Sequence, residues 1–140
     1  IHIGVAISLR DGGLVAPALH DADRMDVAAL TRALLDLVKR TRAGALRSSE
    51  LADATITITN LGEQSVASVF GVIYPPQVAL VGFGRIGLKP WALDDGSVRA
   101  VPVVSATLSA DHRAGDGHRG ALLLAEMREQ LQAPDALDKP

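Results

Sequence analysis

The sequence VRAVPVVSATLSADHRAGDGHRGALLLAEMREQL, residues 98–131, leads from a strand-like segment through a polar turn into a helix-like segment. Val98–Ser109 is rich in Val and Thr, which favour extended backbone, and predicts one long strand. Asp116 is a residue type that caps helices, and the apolar residues after it recur at helical spacing, so a final helix is predicted. The turn at residues 111–117 places His112 four residues before Asp116. Because histidine has an unperturbed pKa close to neutrality, this turn is a candidate site for proton transfer.

The first part of the chain is predicted to form a hairpin followed by helices. Ile1–Leu9 and Leu14–Leu19 alternate around an Asp-Gly-Gly turn, which is typical of two paired strands. Asp26 is a predicted N-cap, and the apolar residues after it keep helical spacing up to Gly44, a residue type that commonly ends helices. A short helical turn is predicted at Ser48–Leu51.

Three further segments are predicted to be extended. Thr55–Asn60 alternates between threonine and isoleucine, so its threonines share one face of a strand. Val69–Tyr74 is a short extended piece that ends at the rigid bend Pro75-Pro76. Val78–Phe83 is nearly all apolar and predicts a strand that is buried on both faces.

The order of these elements is strands, helix, several strands and helix. Few helices lie between consecutive strands, so an alternating doubly wound sheet is not expected. The predicted fold class is α+β, a two-layer sandwich in which helices pack mainly on one face of a mixed sheet. The length of 140 residues suits a single domain, with a polar tail at residues 134–140.

Composition excludes several classes of function. Hydrophobic residues make up 48% of the chain and aromatic residues 3%, so the core must be aliphatic. The net charge of −2 gives no electrostatic reason to expect nucleic acid or a membrane as a partner. The lack of cysteine excludes disulfides and thiolate catalysis and fits a cytoplasmic location. No transmembrane helix or signal peptide is expected. Because the sequence begins at Ile1 directly in a strand pattern, we expect that a further segment precedes it in the natural protein.

Gly82, Gly84 and Gly87 match the glycine spacing of a dinucleotide-binding loop. Such a loop must lead into a helix whose N-terminal N–H groups meet the pyrophosphate. Pro90, and the turn signal in a predicted loop at Trp91–Ser97, do not suit a helix interior. We therefore expect glycines in a strand that passes close to another backbone segment.

The other histidines give weaker signals. His2 and His20 lie in or beside strand-like segments, and no acidic residue follows or precedes them at a spacing that would indicate a functional pair. Surface or packing roles are therefore expected. A metal site built from His112, Asp116 and His118 would use ordinary ligands. Their spacing across a Gly-Asp-Gly turn does not force them to converge, and no metal is expected.

Three stretches, taken together, resemble one protein family. They are Ile3–Ile7 with Gly13–Pro17, Thr57–Gly62 with Tyr74–Leu80, and the turn Asp111–Gly117. In this order they resemble segments of the catalytic domain of the dihydrolipoamide acyltransferases of 2-oxo acid dehydrogenase complexes. The turn resembles the His-x-x-x-Asp-Gly signature that this family shares with chloramphenicol acetyltransferase. The resemblance implies a chloramphenicol acetyltransferase-like fold in which residues 1–140 form the C-terminal part of the catalytic domain, with the family's lipoyl and partner-binding domains outside this sequence.

The resemblance also implies a reaction, the transfer of an acyl group between a lipoyl thiol and coenzyme A, in a complex of the pyruvate or branched-chain type. His112 would then be the general base, Thr59 would stabilise the oxyanion, and Asp116 would orient the turn. Asn60 and Gly84 fall where the family lines its coenzyme A channel. The family's trimers carry the site between two subunits and work with 2-oxo acid decarboxylase and dihydrolipoamide dehydrogenase components. A homotrimer, alone or within a larger assembly, and both partners are therefore expected.

Two alternatives of other classes stay open. One is a non-catalytic scaffold of the same fold, and the other is a free-standing coenzyme A-dependent O-acetyltransferase that accepts a hydroxyl group. The joint presence of His112, Asp116 and Thr59 favours the lipoyl-to-coenzyme A acyltransferase. The sequence does not identify the acyl group.

Overall fold

The structure, a computed structural model, describes residues 1–137. The elements are β1 (Ile3–Val5), β2 (Ile7–Ser8), β3 (Leu14–Val15), β4 (Ala18–Leu19), α1 (Val27–Arg42), α2 (Ser48–Ala52), β5 (Ile56–Asn60), β6 (Ala79–Phe83), β7 (Gly87–Ala92), β8 (Val98–Val103), β9 (Ala106–Ala110) and α3 (Gly117–Gln132). Short 3₁₀ turns lie at Ala22–Arg24, Gly62–Gln64 and Pro134–Ala136. The predicted tail at 134–140 thus begins with such a turn, and its last three residues lie outside the described part. Within residues 1–137, no helix has both the length and the apolar composition needed to cross a bilayer.

The main sheet is mixed, with the strand order β4-β1-β5-β6-β9. The inner strands β1, β5 and β6 run parallel, whereas the edge strands β4 and β9 run antiparallel to their neighbours. The apolar run predicted at Val78–Phe83 forms β6, which pairs on both sides. Val81 and Gly82 occupy positions on opposite faces of β6, and both are buried. The prediction of a strand that is buried on both faces is therefore confirmed.

The helices pack on one face of this sheet, as predicted. Leu37 of α1 packs against Leu19 and Ile3, and Gly120 of α3 lies against Leu108. The pairing register places Ile3 and Leu108 on the same face. The opposite face carries Gly82 and the threonines, and the segment at residues 66–77 covers it. The α+β class with a mixed sheet is confirmed.

The predicted N-terminal hairpin is present, but both of its arms are interrupted. β1 pairs with β4 in the main sheet, while β2 pairs with β3 as a separate ribbon. The interruption lies at Ala6, whose backbone N–H donates to the carbonyl of Ile58 in β5 at 3.0 Å. Gly12 and Gly13 at the turn have φ of 89° and 96°, a region that favours glycine.

Two predictions about the second half were wrong. The single strand predicted at Val98–Ser109 is divided near residue 104 into β8 and β9, which pair with β7 and β6 respectively. The loop predicted at Trp91–Ser97 is shorter, because Trp91 lies within β7 and only residues 93–97 turn. A Val- and Thr-rich run favours extended backbone but does not specify which partner each part pairs with.

The helix boundaries predicted from capping residues are confirmed. The Asp26 carboxylate accepts a hydrogen bond from the backbone N–H of Ala29 at 2.6 Å and caps α1. The helix ends at Arg42, and Gly44 follows with φ of 69°. The predicted helical turn at Ser48–Leu51 corresponds to α2.

An ion pair joins α1 to α2. The Arg40 guanidinium donates to the Glu50 carboxylate and to the Asp36 carboxylate, at 2.7 Å in each case. Glu50 is only 4% exposed, and its carboxylate also accepts from the backbone N–H of Arg47 at 2.8 Å. The Arg40 guanidinium lowers the pKa of Glu50 to about 2. Because the carboxylate is buried and paired, it fixes α2 against α1.

Replacing Glu50 with Gln should lower the free energy of unfolding by about 2 kcal/mol at neutral pH, because it leaves Arg40 without its main partner. Since the folded-state pKa of Glu50 is about 2, below its ordinary 4.5, the contribution is present above pH 4.5 and lost as pH falls through that interval. Thermal unfolding of the two proteins, followed from pH 7 to pH 3, measures this. The control E129Q removes an exposed partner of Arg128 and should change stability by less than about 0.5 kcal/mol. Equal stability of E50Q and wild type at pH 7 would refute the role of the pair.

Candidate active site

The histidine turn follows directly from β9. The backbone N–H of Asp111 donates to the carbonyl of Val78 at 2.8 Å, which fixes the start of the turn to the entry of β6. The Asp111 carbonyl accepts from the N–H groups of Ala114 and Gly115 at 2.9 and 3.2 Å. His112 is exposed, and within residues 1–137 its ring makes no hydrogen bond. The imidazole is therefore carried on a fixed backbone and is open to a substrate.

The residues on either side of His112 form an ion pair. Asp111 accepts from the Arg113 backbone N–H at 2.9 Å and from its guanidinium at 2.7 to 3.1 Å. The guanidinium lowers the pKa of Asp111 to about 2. The sequence placed both residues within the motif but gave no signal for this pairing.

Asp116 caps α3, as predicted. Its carboxylate accepts from the backbone N–H of Arg119 at 2.9 Å. Within the described chain this carboxylate has no hydrogen bond to His112, which is consistent with a role in ordering the turn rather than in direct proton transfer. His118 is exposed in the first turn of α3. Among residues 1–137, no group of three or more ligating side chains could hold a metal ion.

Thr59 lies near the end of β5 on the threonine face. It is half-buried, sits opposite Gly82 of β6, and its hydroxyl makes no hydrogen bond to any residue the structure describes. Thr57, two residues earlier on the same face, is buried, and its hydroxyl donates to the Gln77 side chain. Thr59 therefore retains a free donor, whereas Thr57 is used to hold the segment at residues 66–77. Sequence reasoning gave no role to Gln77.

Another prediction was wrong for part of the segment at residues 66–77, which covers the threonine face of the sheet. Val69–Tyr74 was expected to be an extended piece, but it joins no sheet and crosses over β6 instead. A Cβ on Gly82 would overlap Val69, and the Thr107 hydroxyl donates to the Val69 carbonyl. A Cβ on Gly71 would overlap the Leu80 side chain. The segment therefore contacts the sheet face through its side chains and the Val69 carbonyl, and not as a paired strand.

Asn60 and Gly84 lie at the ends of the neighbouring strands β5 and β6. The Asn60 side chain accepts from the backbone N–H of Gly62 at 2.8 Å. A Cβ on Gly84 would overlap the carbonyl of Ala67, so glycine permits the close crossing of two backbones. The chain then continues into β7, not into a helix, so the glycine pattern is not a dinucleotide-binding loop, as expected.

Thr59 and His112 occupy opposite ends of the sheet. Thr59 is opposite Gly82 of β6, whereas Ala110 is opposite Ala79. These positions are about 10 Å apart along β6, and His112 lies two residues beyond Ala110. A single chain therefore carries His112 and Asp116 on the same turn between β9 and α3, but it does not bring either to Thr59.

The mixed sheet, the helices on one face and the His-x-x-x-Asp-Gly turn form an α+β domain of the kind that the resemblance to the acyltransferase family implies. A family model described as 2-oxoacid dehydrogenases acyltransferase (catalytic domain) matches residues 1–138, so the chain belongs to this family.

Named relatives and solved structures agree with this assignment. The chain is 36% identical to the dihydrolipoyllysine-residue acetyltransferase component of the pyruvate dehydrogenase complex of Staphylococcus epidermidis, over 97% of this chain and 31% of that protein. The component of the same name from Mycobacterium bovis is 34% identical, over 94% and 24%. A crystal structure of a probable dihydrolipoamide acetyltransferase from Listeria monocytogenes superposes with a TM-score of 0.88 at 26% identity, covering 95% of this chain and 56% of that one. The chain thus spans less than a third of these curated relatives.

Replacing Gly84 with Ala should lower stability by about 1–3 kcal/mol, because the added methyl group would meet a backbone carbonyl that cannot move away cheaply. Differential scanning calorimetry of the full-length protein measures the change. Gly87→Ala is the matched control, since the nearest atom to its added Cβ is Arg85 Nε at 3.8 Å. If the two variants melted at the same temperature, the close crossing at Gly84 would be refuted.

Proposed function

We propose that this chain is the C-terminal part of an acyltransferase catalytic domain that moves an acetyl group between a lipoyl thiol and coenzyme A in a pyruvate dehydrogenase complex. The observation that carries the proposal is the exposed His112 on a hydrogen-bonded turn, in a chain that belongs to the acyltransferase family. The names of the relatives, all acetyltransferase components, favour acetyl over branched-chain groups.

In this reaction His112 acts as the general base. A thiol with a pKa near 8.5 is mostly protonated at pH 7, so the imidazole takes the proton as the coenzyme A sulfur attacks the thioester carbonyl. A new carbon–sulfur bond forms, and the carbonyl oxygen becomes an oxyanion. When the bond to the lipoyl sulfur breaks, the imidazolium returns the proton to the departing lipoyl thiolate. The coenzyme A thiol is consumed and a lipoyl thiol is released, so one carbon–sulfur bond replaces another and the proton is returned.

The Thr59 hydroxyl is the proposed donor to the oxyanion. Its free hydroxyl and half-buried position support this role. A donor preorganised for developing charge lowers the barrier by roughly 3–4 kcal/mol. Asp116 fixes the turn to the start of α3, because its carboxylate accepts from the backbone N–H of Arg119.

Asn60 and Gly84 are proposed to lie along the coenzyme A channel. They end two parallel neighbouring strands, whose carboxyl ends meet at one edge of the sheet. Ligands of open sheets commonly bind at that edge. Gly84 is buried where Ala67 crosses it, so the absence of a side chain shapes this edge by allowing the two backbone segments to meet.

A complete site requires more than one copy of the chain. Because Thr59 and His112 lie at opposite ends of one sheet, we assign them to neighbouring subunits of a homotrimer. Phe70, Val72 and Tyr74 are 81%, 89% and 78% exposed, an apolar surface that suits such contacts. The partners are a 2-oxo acid decarboxylase and a dihydrolipoamide dehydrogenase, and a cytoplasmic location belongs to the same proposal.

Replacing His112 with Ala should reduce acetyl transfer from acetyl-CoA to dihydrolipoamide by about 10²- to 10⁴-fold, because no base remains to accept the thiol proton. Oligomeric state by size-exclusion chromatography with light scattering should not change. His118→Ala, the exposed histidine six residues later, is the control and should keep wild-type turnover. Unchanged turnover in H112A would refute His112 as the base, whereas a wild-type protein without turnover would identify the non-catalytic scaffold.

The same assay separates the substrate classes. Succinyl-CoA and isobutyryl-CoA should be poorer donors than acetyl-CoA. Faster turnover with either one would contradict the acetyl assignment. A small alcohol should fail as acceptor, and efficient O-acetylation would instead identify a free-standing O-acetyltransferase.

Replacing Thr59 with Ala should lower kcat by about 10²- to 10³-fold, through the loss of one oxyanion donor. Thr59→Ser keeps the hydroxyl and should retain most of the rate. Steady-state kinetics with acetyl-CoA as the varied substrate gives kcat and KM for both variants. Equal rates for T59A and T59S would show that the hydroxyl does not contact the reacting oxygen.

A further inference from the structure

We infer that Asp111 and Arg113 act together as positioning residues, holding the backbone on both sides of His112 so that its imidazole is aligned for proton transfer. The inference rests on the proposed function. It adds two residues whose effect on the reaction is transmitted through His112, without contact to the substrates.

Hydrogen bonds join the residues that flank His112 in sequence, Asp111 and Arg113. The Asp111 carboxylate accepts from the Arg113 backbone N–H at 2.9 Å, which closes a turn around the residue between them. The Arg113 guanidinium then returns to the same carboxylate through Nε at 3.1 Å and Nη2 at 2.7 Å. One carboxylate therefore holds both the main chain and the side chain of Arg113.

Among the hydrogen bonds of residues 1–137, those that anchor this unit to the sheet come from Asp111. Asp111 donates its N–H to Val78 at the entry of β6 and offers its carbonyl to Ala114 and Gly115. Its side chain is 24% exposed, whereas that of Arg113 is 87% exposed. Asp111 is thus the residue of the pair that is bonded to the sheet, and Arg113 stabilises the solvent-facing side of the turn.

A role limited to stability does not explain this arrangement. Exposed ion pairs contribute little to folding, because the charges are solvated and both side chains lose freedom. Small displacements of a reacting group, by contrast, reduce rates strongly, and a shift of about 1 Å costs up to about 10²-fold. Loosening the pair should therefore affect the rate more than the stability.

The test uses four variants of the full-length enzyme. Arg113→Met and Asp111→Asn each remove the ion pair, while the side-chain oxygen of the introduced asparagine can still accept the backbone N–H of Arg113. Each should lower kcat about 10-fold, with KM for coenzyme A within twofold of wild type and the melting temperature within about 2 °C. The double variant D111N/R113M should be no slower than either single one, because the two residues act as a unit. Asp111→Ala also removes the backbone bond and should be slower still.

Matched controls keep the outcomes separate. Arg128→Met removes another exposed arginine ion pair, on α3, and should leave kcat unchanged. Arg113→Lys keeps the charge without the planar fork and should recover only part of the rate. Unchanged kcat in R113M, additive losses in the double variant, or a loss confined to KM would each overturn the inference. H112A is measured in parallel, so that full activity in H112A identifies a failure of the proposed function itself.

Discussion

The pairing of β6 with a parallel strand on one side and an antiparallel strand on the other governs where every candidate residue lies. β5 and β6 run in the same direction, so Thr59, Asn60 and Gly84 gather at one end of the sheet. β9 runs the opposite way, so the turn that follows it emerges at the other end with His112. Strand direction therefore separates the proposed oxyanion donor from the proposed base, and this separation is why we propose that the site joins two chains.

Each face of the sheet is covered in a different way. Helices α1 and α3 cover one face through aliphatic contacts such as Leu37 with Leu19. An irregular segment covers the other, and it fits closely because Gly82 and Gly84 have no side chains where the backbone of residues 67–69 crosses. Thr57 and Thr107 satisfy polar groups of that segment. Thr59, on the same face, makes no side-chain hydrogen bond within residues 1–137, which supports its proposed role as the oxyanion donor.

Carboxylates hold the local geometry at several points. Asp26 and Asp116 cap helices, and Glu50 joins α2 to α1 through Arg40. The Asp111 carboxylate holds the histidine turn, because it accepts hydrogen bonds from both the backbone N–H and the guanidinium of Arg113. The motif thus contains two carboxylates with separate tasks, one that begins α3 and one that shapes the turn around His112.

The sequence by itself determined the local features of this protein. Capping aspartates, helix-ending glycine, the apolar run of β6 and the alternation of β5 all depend on neighbours a few residues away, and each was identified correctly. The tertiary structure decided what depends on distant partners. It divided residues 98–109 between two sheets, directed Val69–Tyr74 across β6, and paired Arg40 with Glu50. It also placed Thr59 and His112 at opposite ends, because the direction in which strands pair is set by packing over the whole domain and is not written in any single segment.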